Sequence, residues 1–339
     1  MGRAQAPFAS AVERGIRNLD STVRSRAPET PRASTIAAPE GELTSPGRVR
    51  PWLRAARPHQ WSKNLLVLAP VALGWSQLST PRLVDALFAL LLLCAASSLT
   101  YMLNDVIDVE ADRLHLTKRR RPFASGHLAR RHGVALVAVG LPIVLLLGWL
   151  ISPAVAASLA AYCALTLAYS FWLKRIAVTD AFVIGALFTM RLVVGTTAAT
   201  LEWSAWLLTF SVFFFSSLAL AKRHTELVGA GPHATGAVPG RGYRYEDRSL
   251  TLVLGVAAST ASVLIGVQYL MAEVFPRGAY AHPLWLWAAP PLIFLWVGRI
   301  WLLANRGEMH DDPVVFALTD PVSHGLGAGM VIAFLLALL

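Results

Sequence analysis

Three aspartates in the stretch NDVIDVEADR have the residue type and the spacing of a cation site. At about 100° per residue on a helix, Asp108 lies about 60° from Asp105, and Asp112 lies about 20° from it. The same geometry places Glu110 about 140° away. The stretch therefore predicts three carboxylates that converge on one helical face and a fourth that points elsewhere.

A divalent cation would relieve the repulsion among these carboxylates, which is costly where an apolar helix leaves a membrane. Mg²⁺ takes oxygen ligands and keeps positions open for water and substrate phosphates. The predicted Mg²⁺ ligands are the three carboxylates, which also have a catalytic role, and one bordering amide: Asp105, Asp108, Asp112 and Asn104. The alternative is a helix end tied by local salt bridges to Arg113 and Lys118.

Four consecutive basic residues, at positions 118–121, follow the acidic stretch. A basic run beside a membrane span is often only an anchor on the cytoplasmic side. Beside a Mg²⁺ site, the run can also bind phosphate oxygens that the metal does not hold. Arg121 precedes Pro122, which restricts its backbone and fixes its direction best. We therefore predict a site for a Mg²⁺-bound diphosphate or polyphosphate, with Lys118 and Arg121 as substrate contacts.

The composition places this site in a membrane protein. Of the 339 residues, 55% are hydrophobic and only 15% are charged, and the mean hydropathy is +0.53. Soluble domains carry about 25% charged residues. Segments of roughly membrane-spanning length are found at 65–78, 83–103, 133–151, 154–173, 177–199, 203–221, 250–272, 283–303 and 322–339. The first is short and is interrupted by Pro70 and Gly74. The fold class predicted is an all-α integral membrane bundle of nine transmembrane helices.

The distribution of Lys and Arg predicts the orientation in the membrane. The basic residues concentrate in the loops of one side, which are 104–132, 174–176, 222–249 and 304–321. The opposite loops contain only Arg82 and Arg277. This asymmetry predicts a multi-pass protein of the inner (plasma) membrane with a cytoplasmic N-terminus and a site that faces the cytoplasm. The net charge of +10 then lies near anionic headgroups, and its interleaving with acids argues against a nucleic-acid partner.

The first fifty residues differ from the rest. Residues 1–50 are rich in Arg, Ala, Ser and Pro, and their second half has the composition of a disordered segment. Within this basic arm, apolar residues recur at helical spacing over 8–23: Phe8, Val12, Ile16, Leu19 and Val23. The pattern predicts an amphipathic helix that is either solvated or engaged with the membrane surface or with another subunit of a homo-oligomer. Residues 51–339 form one integral domain.

The acidic motif and four further segments resemble the UbiA-type intramembrane prenyltransferase superfamily. NDVIDVEADR is similar to the first Asp-rich motif of that superfamily. The segments RPHQWSKNLLVLAP, DRLHLTKRRRPFASG, AYSFWLKRIAVTDAF and LALAKRHTEL together resemble its branch of decaprenyl-phosphate phosphoribosyltransferases. The resemblance covers residues 57–339, and RGEMHDDPVVFALTDPVS near the C-terminus is similar to other bacterial members of the branch. It implies nine helices around a central cavity, with cytoplasmic cap loops and a lateral opening to lipid.

One departure from the superfamily concerns the loop after the sixth helix. Members that prenylate aromatic rings carry a second Asp-rich motif there, whereas this sequence reads AKRHTEL. Lys222 and Arg223 make the position cationic, which suits the 5′-phosphate of phosphoribosyl diphosphate. We predict substrate contacts at Lys222, Arg223 and Glu226; a simple ion pair between Lys222 and Glu226 is the alternative. Glu246 and Asp247 in GYRYEDRS remain candidates for further metal ligands.

Polar residues at the ends of other spans complete the predicted site. The resemblance favours a catalytic phosphate contact at Lys63 and a substrate contact at Asn64, with membrane anchoring as the alternative. Tyr169 and Lys174 are predicted substrate contacts at the end of the fourth span, where Lys174 could also simply extend to the headgroups.

Two charged residues within one span share a helical face. Asp180 is predicted to line the cavity and contact substrate. Arg191 lies eleven residues further on, roughly 16 Å away, and its role stays open between substrate contact and structural pairing. The histidines lack metal-ligand spacing and are predicted to be exposed in loops: His115, His127, His132 and His224.

The resemblance implies a reaction between two anionic substrates. A polyprenyl phosphate attacks C1 of phosphoribosyl diphosphate, and diphosphate leaves with the help of Mg²⁺. Cationic residues would screen the repulsion between donor and acceptor: Lys63, Arg121, Lys222 and Arg223. The alternatives are a prenyltransferase that moves a polyprenyl group to an aromatic or other small acceptor, and a non-enzymatic transporter or lipid-binding protein.

Overall fold

The computed structural model describes residues 49–114, 117–231, 233–309, 313–317 and 319–339. The chain divides into two units, Met1–Pro46 and Gly47–Leu339, and every described residue belongs to the second. The amphipathic helix predicted over 8–23 and the predicted loop residue His115 lie outside the described residues.

The described unit is a helical, multi-pass membrane protein. Among the described residues, eight helices are long and apolar enough to cross a bilayer: α1 (Thr80–Ile107), α2 (Arg130–Ile151), α3 (Pro153–Phe171), α4 (Thr179–Ala198), α5 (Ala205–Gly229), α6 (Tyr245–Arg277), α7 (Pro283–Arg306) and α8 (Pro321–Leu338). They form because runs of Leu, Ala, Val and Phe satisfy their own backbone hydrogen bonds in lipid. Shorter α-helices are Val49–Ala56, Leu68–Leu73, Val109–Leu114 and Pro313–Ala317.

The expected first span is not one helix, so the predicted count of nine is not confirmed. The chain forms a 3₁₀ helix over Pro58–Val67, a short α-helix over Leu68–Leu73 and a further 3₁₀ turn. Pro70 cannot donate a backbone hydrogen bond, so a continuous helix is interrupted. Such backbone is tolerated at membrane depth only where protein covers it. Gly195 of α4 allows this cover, because a Cβ there would lie 1.9 Å from the Val67 carbonyl oxygen.

Hydroxyl groups and small residues join the helices inside the bundle. The Ser217 hydroxyl of α5 donates to the Gly255 carbonyl oxygen of α6 at 2.8 Å. The same hydroxyl accepts from Trp301 Nε1 of α7 at 2.9 Å. These bonds satisfy polar groups where no water is present and hold three helices at close range.

Four connections meet at one end of the bundle, which we call the capped end. They follow α1, α3, α5 and α7, and their described residues lie within 108–129, 172–178, 230–244 and 307–320. Side chains link the helix ends beside these connections, since Asn104 Nδ2 of α1 donates to Ser170 Oγ of α3 at 2.9 Å. Arg223 at the end of α5 likewise contacts Asp180 at the start of α4. The capped end therefore brings together the polar segments that are distant in the sequence.

Candidate active site

A cavity of about 430 Å³ opens at the capped end, and its wall is strongly cationic. Among the described lining residues, only two are acidic, Asp105 and Asp108. The basic lining residues come from six separate parts of the chain: Arg57, Lys63, Lys118, Arg121, Lys174, Arg191, Lys222, Arg223 and Arg241. A wall of this charge is suited to a ligand with several phosphate groups.

The acidic stretch NDVIDVEADR does not form the single straight helix on which the predicted alignment of its three aspartates depends. Helix α1 ends at Ile107, Asp108 has non-helical backbone angles (φ −84°, ψ 7°), and a second helix runs over Val109–Leu114. Glu110 lies outside the cavity, in agreement with the prediction that it points away from the three aspartates, and it pairs with Arg113 at 3.3 Å. The local salt bridge of this segment therefore involves the outer carboxylate.

Arg121 ties two of the predicted metal ligands together. Its Nη1 donates to Asp105 Oδ1 at 3.0 Å and to Asp112 Oδ2 at 2.7 Å. Asp105 also accepts from Arg57 Nη2 at 2.6 Å. Both carboxylates are buried. The basic run thus supplies the counter-charge of the acidic stretch, through its last member and across the turn before Pro122.

The predicted set of three carboxylates does not form one cluster. Within the described residues, no group of three or more His, Cys, Asp or Glu side chains is arranged to hold a metal. Asp112 is absent from the cavity wall, because it lies behind Arg121. The wall retains Asp105, Asp108 and Asn104. This donor set fits Mg²⁺, which needs only one or two carboxylates where substrate phosphates supply the remaining ligands.

Asp180 supports the opposite wall from behind and does not line the cavity. It is fully buried, and its Oδ2 accepts from Arg223 Nε at 2.8 Å. Its Oδ1 accepts from the Tyr243 hydroxyl at 2.7 Å. Arg223 also donates to Glu226 Oε2 at 2.6 Å, so the carboxylate of the alternative ion pair is held by Arg223. Glu226 is partly exposed and outside the wall.

The loop before α6 closes over this buried group. Val178 has a positive φ of 64°, which is unfavourable for a β-branched residue, and its N–H donates to the Tyr243 hydroxyl at 2.9 Å. A Cβ on Gly242 would lie 2.3 Å from the Arg175 carbonyl oxygen, so only glycine permits this approach. Burial, together with the hydrogen bond to Asp180, raises the pKa of the Tyr243 phenol. The phenol therefore stays protonated and donates at neutral pH.

The floor of the cavity contains Arg191, whose role the sequence left open. Its Nε donates to Asn64 Oδ1 at 3.0 Å. Asn64 is buried and outside the wall, so it positions Arg191 and does not contact the cavity. Phe188 lies between two cations, 5.0 Å from Arg191 Cζ and 5.9 Å from Lys63 Nζ, measured to the ring centre.

The cavity wall collects most of the predicted site residues. Those in the wall are Lys63, Asn104, Asp105, Asp108, Lys118, Arg121, Tyr169, Lys174, Lys222 and Arg223. The others lie behind or beside it: Asn64, Asp112, Asp180, Glu226, and the further candidates Glu246 and Asp247. His224 is not an exposed loop residue, because it is buried within α5.

Six polar wall residues were missed by the sequence analysis: Arg57, Tyr101, Tyr162, Thr166, Ser170 and Arg241. Arg57 is the first residue of RPHQWSKNLLVLAP, so a segment that carries the family resemblance already contained the signal. Tyr162 lies in the middle of an apolar helix. Arg241 lies in a loop that no motif marked, where it donates to the Tyr169 hydroxyl at 3.0 Å.

A bundle of membrane-spanning helices around a cation-rich cavity with two carboxylates places this chain among multi-pass membrane proteins with a charged cavity at one end. Within that class, the chain belongs to the UbiA prenyltransferase family, which matches residues 65–319.

Relatives by sequence include three bacterial proteins. The protein y4nM of Sinorhizobium fredii is 44% identical over 294 residues, which are 86% of this chain and 56% of that protein. The chain thus spans little more than half of that relative. The nodulation protein NoeC of Azorhizobium caulinodans is 33% identical, over 83% of this chain and 92% of its own. Decaprenyl-phosphate phosphoribosyltransferase of Mycobacterium tuberculosis is 37% identical, over 80% and 88% respectively.

The fold is that of solved UbiA homologues. A UbiA homologue from Archaeoglobus fulgidus, bound to GPP and Mg²⁺, superposes with a TM-score of 0.60 at 15% identity, over 85% of this chain and 98% of its own. A digeranylgeranylglyceryl phosphate synthase superposes with a TM-score of 0.59 at 15% identity, over 86% and 97%. At this level of identity, the likeness concerns the fold.

Proposed function

We propose that this protein transfers a 5-phosphoribosyl group from phosphoribosyl diphosphate to a polyprenyl phosphate, such as decaprenyl phosphate, and releases diphosphate. The observation that carries the proposal is the excess of basic over acidic side chains in the described cavity wall. Donor and acceptor together bring three separate anionic groups: a diphosphate, a 5′-phosphate and the acceptor phosphate. The 37% identity to a decaprenyl-phosphate phosphoribosyltransferase supports the same substrates.

We assign the basic residues of the wall to three groups, one for each anion. Arg57 and Arg121 both donate to Asp105, where the diphosphate would lie, and Lys118 is assigned with them because it is three residues from Arg121. Arg223 and Arg241 both lie beside Asp180, and we assign them to the 5′-phosphate together with Lys174 and Lys222, which line the same cavity. Lys63 and Arg191 form the third at the floor. Charged hydrogen bonds of this kind are about twice as strong as neutral ones.

The reaction needs no strong base from the protein. The acceptor phosphate is already an anion near neutral pH, so one of its oxygens forms the new bond to C1 of the ribose. The bond from C1 to the diphosphate oxygen breaks, and its electron pair leaves on the diphosphate. Mg²⁺ held by Asp105, Asp108 and Asn104 would neutralise charge on that leaving group. Arg57 and Arg121 would bind the remaining diphosphate oxygens.

We infer that the capped end faces the cytoplasm and that the protein resides in the inner (plasma) membrane. Basic residues concentrate in the loops of the capped end, which is the usual asymmetry of cytoplasmic loops. Phosphoribosyl diphosphate is water-soluble and would enter from that side, while the lipid chain stays in the bilayer.

Prenyl transfer from an allylic diphosphate to a small acceptor is a second candidate. The observation that favours it is the stacked pair Phe188 and Phe215, with ring centres 4.5 Å apart, beside the cavity. Aromatic faces stabilise a nearby cation, such as an allylic one. The same carboxylates would serve either chemistry, because both expel diphosphate.

Purified protein supplied with Mg²⁺ and two substrate pairs distinguishes the candidates. One reaction contains labelled phosphoribosyl diphosphate and a polyprenyl phosphate, and the other contains an allylic diphosphate and an aromatic acid. We expect a lipid-linked phosphoribosyl product in the first reaction, absent with Asp108→Asn. Product in the second reaction alone would overturn the proposal in favour of prenyl transfer.

A further inference from the structure

Arg191 is a buried cation whose protein partners are all neutral. It donates to Asn64 Oδ1 at 3.0 Å, to the Leu187 carbonyl oxygen at 2.5 Å and to the Tyr162 hydroxyl at 3.5 Å. No carboxylate among the described residues lies within 4 Å of its guanidinium. Its exposed fraction is only 5%, and a buried charge without a counter-charge is unfavourable. Because the guanidinium also lines the cavity, a ligand can supply that counter-charge.

The surroundings hold Arg191 in a fixed position. Asn64, which accepts from it, is itself fixed by donating to Ser97 Oγ at 3.1 Å. The rings of Tyr162 and Phe188 lie 5.3 Å and 5.0 Å from the guanidinium carbon. The described bonds use three of the five N–H groups of a guanidinium. The remaining donors are available for an anion that enters the cavity.

The depth of Arg191 indicates what kind of anion this is. It lies eleven residues along α4 from Asp180, roughly 16 Å below the capped end. The adjacent wall includes the apolar residues Leu187, Phe188 and Phe215, beside Lys63 and the Tyr162 hydroxyl. A phosphate that carries an apolar chain can pair with the Arg191 guanidinium and pack its chain against the apolar residues. A sugar phosphate would instead bury its hydroxyl groups against those apolar side chains.

We propose that Arg191 binds the phosphate of the polyprenyl acceptor, with the first isoprene units against Leu187 and Phe215. The proposal rests on the proposed function and adds a location for the acceptor. It separates the two substrates by depth, with the lipid phosphate on the floor and the soluble donor nearer the capped end. The acceptor oxygen then approaches C1 from the membrane side, away from the leaving diphosphate.

A binding experiment without Mg²⁺ and without donor tests this location. The probes are farnesyl phosphate and the matched alcohol farnesol, titrated by calorimetry into the full chain in detergent. We expect tighter binding of the phosphate than of the alcohol in the wild type. Arg191→Gln should weaken farnesyl phosphate by roughly ten- to a hundredfold, as expected for a charged hydrogen bond, and leave farnesol unchanged. Arg175→Gln is the control, since Arg175 is outside the described cavity wall.

A second variant keeps the test valid if Arg191→Gln fails to fold. Asn64→Asp is nearly isosteric and places a carboxylate 3.0 Å from Arg191 Nε. It should weaken farnesyl phosphate binding, because the counter-charge is then internal, and its size-exclusion profile shows whether it folds. Unchanged farnesyl phosphate affinity in any variant that folds would overturn the proposal.

Donor titrations separate this proposal from the proposed function. Phosphoribosyl diphosphate with Mg²⁺ should bind both variants within about twofold of wild type, because its contacts lie nearer the capped end. Loss of donor binding in place of acceptor binding would assign Arg191 to the donor and overturn the acceptor location. If the wild type transfers phosphoribosyl groups but the variants bind the acceptor normally, the proposed function is supported and the acceptor site at Arg191 is refuted. If the variants selectively lose farnesyl phosphate binding but the wild type transfers no phosphoribosyl group, the site at Arg191 is supported and the proposed function is refuted.

Discussion

Arg223 donates from Nε to Asp180 Oδ2 at 2.8 Å, and both side chains are buried at the capped end. The pair joins the start of α4 to the end of α5, and Tyr243 adds the loop before α6. A carboxylate far from the acidic motif thus orients one of the cations that we assign to the donor. Its position behind the wall makes Asp180 a positioning residue.

Asp180→Asn should therefore lower both stability and donor affinity. Removal of one partner of a buried ion pair costs about 3–5 kcal/mol. We expect a lower thermal midpoint in detergent and a higher KM for phosphoribosyl diphosphate, with a smaller effect on the lipid acceptor. Glu226→Gln is the matched control, since this partner of Arg223 is 42% exposed and its loss should change stability by less than about 1 kcal/mol. Equal effects of the two substitutions would contradict the assignment.

Asp105→Asn and Asp108→Asn should each abolish turnover while the protein still inserts and folds. Both carboxylates line the cavity, where they would hold Mg²⁺. Glu110→Gln should retain most activity, because Glu110 pairs with Arg113 and Arg130 outside the cavity. The test is to measure the initial rate of each variant, using only protein whose size-exclusion profile matches that of the wild type. An essential Glu110 would show that the cation site lies elsewhere.

Asp112→Asn should behave differently from Asp108→Asn. Asp112 is buried against Arg121 and does not line the cavity, so its loss leaves Arg121 with Asp105 alone and leaves the metal donors in place. We expect a higher donor KM at an unchanged Mg²⁺ requirement. Titration of Mg²⁺ against rate measures the difference. If Asp112→Asn raised the half-saturating Mg²⁺ concentration, Asp112 would be a metal ligand after all.

Lys222→Ala should weaken the donor more than the acceptor. Lys222 lines the cavity and adjoins Arg223 in α5, in the group that we assign to the 5′-phosphate. A charged hydrogen bond contributes roughly 1.5–3 kcal/mol, so the apparent donor constant should rise by about one to two powers of ten. Titrations of each substrate at saturating partner decide this, with Arg175→Ala as the control outside the wall. A weakened lipid constant and an unchanged donor constant would favour prenyl transfer.

Deletion of residues 1–45 should leave catalysis largely intact in detergent. The described cavity wall begins at Arg57, and the deleted residues contain none of the motifs. Specific activity after purification measures the effect. Loss of an oligomer on deletion would agree with a contact made by the arm, whereas a folded but inactive protein would refute the division at residue 50.

Much of the site was predictable because its residues lie in short local motifs. The charge of AKRHTEL, the carboxylate spacing of NDVIDVEADR and the position of Lys63 are properties of neighbouring residues. Hydrophobic segments of membrane length likewise predicted the eight continuous spans. The prediction of a continuous helix for the first span was wrong because Pro70 interrupts it. Whether a broken segment is tolerated in the membrane depends on its tertiary contacts, here with Gly195.

The sequence by itself determined a helical membrane protein with an acidic motif and basic clusters near one surface, since hydropathy and helical periodicity act over a few turns. The tertiary structure decided which charges meet. Arg57 and Asp105 are 48 residues apart, and Arg191 and Asn64 are 127 apart, yet each pair is joined by a hydrogen bond. Such pairings depend on how helices pack, and the packing also decided that Asp112 and Asp180 lie behind the wall while Arg191 lies in it. Burial is a property of the assembled bundle, and no local pattern contains it.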